Sequence, residues 1–208
     1  MNHNEPATAV GLRTHSGWAA LVAVAGSPRS PEILLRRRIE LADPRVPGSK
    51  QPYHAAEGES LPAAAKIVGR CAGDAHRLAG KAFDEVLVEL KRSKHPVAAC
   101  GLLLASGRPL PELEAILASH ALVHTADGEL FRDALAAAAQ ERGLPVIRVR
   151  EKEIFSLASA GLHIPEEEIA RCLKDIGRSI GAPWTQDQKL AALAAWVAVA
   201  PRLRGICA

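Results

Sequence analysis

The sequence predicts an α/β fold in which a mixed five-stranded sheet carries helices on its faces. Three strand-like segments lie close together near the start of the chain, at residues 9–14, 18–25 and 32–41. A long amphipathic helical pattern follows them, and two further apolar runs then alternate with helical segments. The resulting order, β-β-β-α-β-α-β with helices after it, is typical of an antiparallel sheet that helical crossovers extend with parallel strands.

The first three strands are separated by short segments that contain Gly, Ser and Pro. In the third segment apolar residues partly alternate with Arg36 and Arg38, which indicates a half-exposed strand near an edge of the sheet. Residues 43–60 contain three prolines and two glycines, so we expect a long surface loop there.

The helical segments are predicted from apolar residues that recur every three or four positions. This pattern runs from Leu61 to Leu90 after Ser60, a good N-cap residue, and predicts one long helix. The continuous apolar run at residues 97–105 is typical of a strand covered on both faces. The later elements are a helix at 111–142 with a break at 125–128, a strand at 144–150, and helices at 165–180 and 186–200.

These elements divide the chain into three parts. We expect a frayed terminus at residues 1–8, an α/β core at residues 9–150, and a C-terminal helical extension at residues 151–208 that packs on the core.

Composition narrows the class of protein. With 208 residues, 48% apolar and 24% charged, the chain has the composition of a soluble globular protein. Its net charge of +3 is too small to indicate a polyanion binder, so any nucleic-acid contact must come from local basic clusters. Four scattered cysteines indicate a reduced, cytoplasmic chain, and the longest apolar run, residues 190–200, is too short to cross a bilayer.

The element order, together with the opening VGL…SGWAALV, resembles the ribonuclease H-like superfamily over residues 9–150. That superfamily includes ribonuclease H, Holliday-junction resolvases and transposases. The resemblance implies action on nucleic acid, with Mg²⁺ or Mn²⁺ ions held by several carboxylates, one of them an Asp on the first strand. The corresponding stretch here, from Gly11 to His15, contains no carboxylate and carries Arg13 instead.

Arg13 and His15 are the first candidate site residues, because strand alternation places them on one face. Arg13 is suited to bind a phosphate or a carboxylate, and His15 is suited to act as an acid or base. We extend the substrate-binding set to Arg13, Ser16, Arg36 and Arg38. The alternative is that Arg13 pairs with an acid across the sheet and that His15 only tops a hairpin.

The second candidate group lies in the segment LASHALVHTADGELFRDAL. Spacings of four and three residues place His120, His124 and Asp127 on one helical face, and we predict these three as ligands of a divalent metal, Mg²⁺ or Mn²⁺. Glu129 follows closely, so a catalytic set of His15, His124 and Glu129 is the corresponding hypothesis. The alternative is that the histidines are hydrogen-bonded boundary residues.

The loop segment from Tyr53 to Glu59 is the third candidate. If the loop folds over the sheet, it brings His54 and Glu57 toward the other groups, and otherwise it is an ordinary solvated loop.

Two functions remain open. The first is a protein that acts on nucleic acid or another phosphate-containing ligand, with metal-dependent hydrolysis of a phosphodiester as its catalytic form. The second is a non-catalytic scaffold of the same fold, in which the last helices contact a protein partner or a second copy of the chain. The apolar stripe for such a contact consists of Leu190, Leu193, Ala194 and Val197. The sequence has neither a phosphate-binding glycine loop nor a GxSxG elbow, so nucleotide-dependent kinases, dehydrogenases and serine hydrolases are not indicated.

Overall fold

The computed structural model describes residues 7–27, 29–105 and 108–200, in which a five-stranded sheet lies between two helical layers. The strands are β1 (Thr8–His15), β2 (Trp18–Ser27), β3 (Ser30–Glu40), β4 (Val97–Leu104) and β5 (Val146–Arg150). The helices are α1 (Leu61–Arg92), α2 (Leu113–Leu117), α3 (His120–Gln140), α4 (Ile154–Leu162), α5 (Glu166–Ile180) and α6 (Gln186–Val199).

The strand order is β3-β2-β1-β4-β5. The pairs β1–β2 and β2–β3 are antiparallel, while β1–β4 and β4–β5 are parallel. The predicted mixed sheet with helices on its faces is therefore confirmed, and the predicted strand limits agree with the observed ones to within two residues. Residues 1–6 of the predicted frayed terminus lie outside the described residues, and Thr8 already belongs to β1.

Helices α1 and α3 cover one face of the sheet. The buried side of α1 includes Cys71, Ala75, Ala79, Phe83, Val86 and Leu90, which is the three-to-four residue spacing expected from the sequence. From Ala75 onward, these side chains pack with Val10 and Leu12 of β1 and with Leu102 of β4 in one apolar cluster. Because strand residues alternate between faces, Gly11 and Arg13 belong to the opposite face.

Helix α6 lies directly on that opposite face, against β1, β2 and β4. Its backbone touches the sheet at Gly11 and Gly101, which are paired across β1 and β4. A Cβ atom on Gly11 would lie 1.9 Å from the carbonyl oxygen of Ala191, and one on Gly101 would lie 2.2 Å from that of Ala194. Only glycine permits this approach, and it leaves α6 buried from Leu190 onward.

The apolar stripe that we considered as a partner surface is therefore covered inside the protein's own fold. Helix α4 packs on α6, and α5 packs on α4. The sequence did not predict α4, because its nine residues, IFSLASAGL, contain too few turns to establish a helical period.

The predicted break at residues 125–128 was wrong. The chain breaks earlier, at Ser119, whose extended conformation (φ −137°, ψ 109°) separates α2 from α3. Helix α3 continues through Gly128, because a glycine inside a helix costs only about 1 kcal/mol relative to Ala and the surrounding packing exceeds that cost.

Within the described ranges, none of the helices combines the length and apolar composition needed to cross a bilayer. Cys71 and Cys100 are buried free thiols and Cys172 is a half-buried one.

Candidate functional site

Arg13 and His15 lie at the carboxyl end of β1, on the face that α6 covers. Two residues before Arg13, Gly11 contacts the backbone of α6 at Ala191. Asp187 lies one turn before Ala191 on the same helix, so the docking of α6 brings the Asp187 carboxylate against Arg13.

Two carboxylates enclose the Arg13 guanidinium. Its Nε and Nη2 donate to the two oxygens of Glu151 at 2.9 and 3.0 Å, and its Nη1 donates to Asp187 Oδ1. His15 Nε2 lies 2.8 Å from the same Asp187 oxygen and 3.0 Å from Arg13 Nη1. We call Arg13, His15, Glu151 and Asp187 the arginine network. Arg13 thus pairs internally with acids, as the alternative interpretation of the sequence described.

The network shifts the pKa of Arg13 and that of Asp187 in opposite directions. The hydrogen bond with Glu151 raises the pKa of Arg13; burial opposes this increase, and the charges of Glu151 and Asp187 reinforce it. Burial alone would raise the pKa of Asp187, but the hydrogen bond and charge of His15, together with Arg13, lower it below its ordinary value. Both shifts favour the charged forms, so the pair stays ionised at neutral pH.

The two divalent ions of ribonuclease H-like chemistry do not fit this set of donors. Mg²⁺ and Mn²⁺ prefer oxygen ligands, and two such ions need several available carboxylates. Both oxygens of Glu151 and one oxygen of Asp187 already accept hydrogen bonds from a fixed guanidinium. The positive charge of Arg13 also repels a second cation at the same place.

The other predicted substrate-binding residues lie in three different environments. Arg36 donates to the carbonyl oxygens of Ile180, Gly181 and Pro183, and so anchors the end of α5. The Arg38 guanidinium lies 3.9 Å from the centre of the Trp18 ring and its side chain is 51% exposed. Ser16 is exposed in the turn between β1 and β2. Among these residues, Arg38 and Ser16 are exposed, although the Arg38 guanidinium also pairs with Glu40 at 2.5 Å. The Arg36 guanidinium is engaged with backbone.

A second group of titratable side chains lies on the helical layer formed by α1 and α3. His120 and His124 stand one turn apart at the start of α3, with their Nε2 atoms 3.0 Å from each other. A 3-10 helix, His54–Ala56, in the loop between β3 and α1 adds His54. One ring nitrogen from each histidine lies within 4.8 Å of the others. We call His54, His120 and His124 the histidine cluster.

Asp127 supports this cluster from beneath. It is 2% exposed, and its Oδ1 accepts the backbone N–H of Tyr53 at 2.7 Å while its Oδ2 lies 2.5 Å from His54 Nδ1. Asp127, which the sequence predicted as a metal ligand, therefore uses both of its oxygens to hold the loop that carries Tyr53 and His54.

The two glutamates near the cluster differ in position. Glu57 Oε1 lies 3.8 Å from His120 Nδ1. The predicted catalytic residue Glu129 pairs with Arg132 at 3.0 Å. The structure therefore brings His54 and Glu57 to His120 and His124, and it directs Glu129 toward Arg132.

Sequence reasoning missed Glu151 and Asp187. They lie 138 and 174 residues from Arg13 along the chain, and only the folded topology brings them together. An Asp in the first turn of a helix is common, because its negative charge interacts favourably with the helix dipole. Asp187 follows Thr185, which forms a capping box with Gln188, so the local sequence is fully explained by helix initiation.

An open cavity of about 620 Å³ lies beside the edge strand β5. Arg148 and Arg150 of β5 line it, with Leu157 and Ala160 of α4 on the other side. Both arginine side chains are 47% exposed. Strand β5 pairs with β4 and forms one edge of the sheet. At this edge Arg150 pairs with Glu153 at 2.7 Å, and Arg148 lies 4.0 Å from Asp133.

Comparison with solved structures gives a likeness in fold. The chain is similar to "T. thermophilus RuvC in complex with Holliday junction substrate" at 16% sequence identity and a TM-score of 0.51, over 92% of this chain and 91% of that chain. It also matches "Thermus thermophilus RuvC structure" at 17% identity and a TM-score of 0.49, over 91% of this chain and 92% of that chain. The ribonuclease H-like fold predicted from the sequence is thereby confirmed. No family model matches the chain. No curated protein matches it either.

Proposed function

We propose that this protein binds nucleic acid and does not cleave it through a two-metal centre at the end of β1. One observation carries the proposal: a guanidinium, that of Arg13, stands where ribonuclease H-like nucleases place a metal-binding Asp, and Glu151 and Asp187 neutralise it. The fold is retained while the donors needed for two Mg²⁺ ions are replaced by an ion-paired network.

The choice of nucleic acid as partner is supported by the fold and by the surface. The RuvC structure with a TM-score of 0.51 is a complex with a Holliday junction substrate. On this chain, Arg148 and Arg150 on the β5 edge and Arg38 on β3 are half-exposed cations. Each lies within 4.0 Å of a carboxylate, that of Asp133, Glu153 and Glu40 respectively, so a phosphate would compete with that carboxylate. Arginine side chains of this kind contact phosphates and position a duplex without reading its sequence.

The binding experiment compares a four-way DNA junction with a linear duplex of the same sequence by fluorescence anisotropy at increasing salt. We expect binding that weakens steadily with salt, because released counterions dominate the affinity. Arg148→Ala should weaken binding to every sequence and lower the salt slope by about one unit. Arg45→Ala is the matched control, since Arg45 is 87% exposed in the loop after β3 and pairs with Asp43, two residues away.

The cleavage experiment incubates the same substrates with Mg²⁺ or Mn²⁺. We expect intact substrate. Metal-dependent cleavage that disappears in Asp187→Asn or Glu151→Gln would overturn the proposal, because it would show that these carboxylates serve a two-metal centre after all. Failure to bind junction, duplex or single strand at any salt concentration would overturn the choice of nucleic acid and favour the protein-contact scaffold.

The hydrolase hypothesis is tested in the same assay. It assigns acid–base roles to His15 or His124 and phosphate binding to Arg13. It makes Asp127 and Glu129 ligands of a metal or of water. Cleavage that His124→Ala and Glu129→Ala both abolish, in folded protein, would support that hypothesis against the one proposed here.

A further inference from the structure

The structure assigns a binding site for one zinc-type transition-metal ion to the histidine cluster, where Nε2 atoms of His54, His120 and His124 are the ligands. This site is separate from the arginine network: His120 and His124 belong to α3, and His54 comes from the loop before α1. It does not depend on whether the protein binds nucleic acid.

The orientation of the rings is the first argument. His54 Nδ1 faces Asp127 Oδ2 at 2.5 Å, and His120 Nδ1 faces Glu57 Oε1 at 3.8 Å. A carboxylate at one ring nitrogen fixes the tautomer and directs the other nitrogen, Nε2, toward a metal. Asp127 holds His54 in this way, whereas Glu57 lies near His120 Nδ1 but beyond hydrogen-bond distance, at 3.8 Å.

The burial of Asp127 is the second argument. A carboxylate that is 2% exposed needs partners for both oxygens, and it uses them to tie the Tyr53 backbone and the His54 ring to α3. The contact holds His54 next to the pair on α3 before any ion arrives. A preformed arrangement of this kind lowers the ordering cost of metal binding.

The distances are the third argument. In a tetrahedral zinc site with bonds of about 2.0–2.1 Å, ligand nitrogens lie roughly 3.3 Å apart. The Nε2 atoms of His120 and His124 are 3.0 Å apart, and all three ligand nitrogens lie within 4.8 Å of one another. The His120 side chain is 71% exposed, so its ring has room to rotate toward an ion.

The donor set selects the kind of metal. Three neutral imidazoles suit Zn²⁺ and Co²⁺, whereas Mg²⁺ and Mn²⁺ prefer oxygen ligands. The Mg²⁺ or Mn²⁺ expected from the sequence is therefore replaced at this site by a zinc-type ion. Three protein ligands leave a fourth position that faces solvent, and this position is available to water or to an incoming ligand.

The test measures metal binding by the full chain after treatment with a chelator. Titration calorimetry with Zn²⁺ should give one ion per chain, and Co²⁺ should give the intense visible absorption of four-coordinate cobalt. His54→Ala, His120→Ala and His124→Ala should each weaken Zn²⁺ binding by about tenfold or more. Asp127→Asn has a single acceptor oxygen for two donors, so it should weaken binding by about 10–100-fold while all three ligands remain.

His95→Ala is the matched control, because His95 lies in the connection between α1 and β4, outside the cluster. It should bind Zn²⁺ as the unchanged chain does. Circular dichroism establishes whether each variant is folded. His120→Ala is the variant least expected to disturb folding, because the His120 side chain is largely exposed, so a loss of Zn²⁺ binding in it reports on the site itself.

Four results would overturn the site. Unchanged affinity in His54→Ala would reduce it to a surface pair of histidines on α3. Tighter binding of Mg²⁺ than of Zn²⁺, or the weak spectrum of octahedral Co²⁺, would contradict the assigned donor set. Equal loss in His95→Ala would indicate adventitious binding to surface imidazoles.

Discussion

The arginine network and the histidine cluster both place a histidine beside a carboxylate. They differ in charge, because the network contains a guanidinium between its carboxylates and the cluster does not. In the network, the guanidinium of Arg13 already occupies the space between Glu151 and Asp187. In the cluster, Asp127 is directed toward the Tyr53 backbone and one edge of His54, so the imidazoles face one another. The position of a fixed cation, more than the number of potential ligands, therefore decides whether a site can accept a metal.

The largest effect is expected from a substitution that forces α6, and with it Asp187, away from the sheet. Gly11→Ala places a Cβ 1.9 Å from the carbonyl oxygen of Ala191 and 2.5 Å from the backbone nitrogen of Ala195. Backbone atoms of a packed helix cannot move aside locally, so we expect a loss of about 3 kcal/mol or more in the free energy of unfolding. Urea denaturation measures it.

Gly73→Ala is the control for this substitution. A Cβ at Gly73, inside α1, would meet nothing within 4 Å. We expect a change between zero and a gain of about 1 kcal/mol, because Ala favours the helix. Equal stability of the two variants would contradict the close packing of α6 on β1.

The next largest effect is expected from a substitution in the arginine network that leaves the histidine cluster unchanged. Arg13→Gln leaves Glu151 and Asp187 close together without their cation, and we expect a loss of about 1–2 kcal/mol, moderated by the 41% exposure of Glu151. Zn²⁺ affinity should stay unchanged. Arg45→Gln, which removes an exposed ion pair, should leave the urea midpoint unchanged. A fall in Zn²⁺ affinity in folded Arg13→Gln would mean that the two regions are coupled.

A smaller effect appears in the pH dependence of stability. The pKa of Asp187 is lower in the folded protein than its ordinary value of about 3.9, so its contribution is fully present above that value and is lost as pH falls through the lower folded pKa. Asp187→Asn should therefore cost about 1 kcal/mol at pH 7. The difference from the unchanged chain should shrink as pH falls below about 4. A constant difference from pH 7 to pH 2 would show that the carboxylate charge plays no part.

The smallest predicted effect tests the role of Arg36. Its guanidinium donates to the carbonyls of Ile180, Gly181 and Pro183, so Arg36→Ala should lower stability by about 0.5–1 kcal/mol. Affinity for DNA should not change, since these hydrogen bonds occupy the donors. A clear loss of DNA binding with unchanged stability would instead support the substrate-binding role predicted from the sequence.

The sheet was predictable because each strand carries its own signal in consecutive residues. An alternating or continuous apolar run indicates a strand whatever its neighbours are, and the long period in α1 is equally local. Helix α4 was missed because it is short, and the break before α3 was misplaced because Gly128 is tolerated inside the helix.

The candidate site was predictable only in part, for a different physical reason. His120 and His124 share a helix, so their spacing alone places them together. The partners of Arg13 come from the segment after β5 and from α6, and no pattern in the sequence around Arg13 indicates them. The role of Asp127 was likewise hidden, because the loop that it holds belongs to a different part of the chain.

The contact of α6 with Gly11 and Gly101 can form only late in the synthesis of the chain. The sheet face around Gly11 and Gly101 is covered by a helix that ends at Val199, so that face stays exposed on the nascent chain until the ribosome has released nearly all the described residues. Chains emerge at about 5–20 residues per second, and an uncovered apolar sheet is prone to aggregation during that time. A newly made chain therefore passes through a stage, several seconds long at about those rates, in which it is a natural client for chaperones.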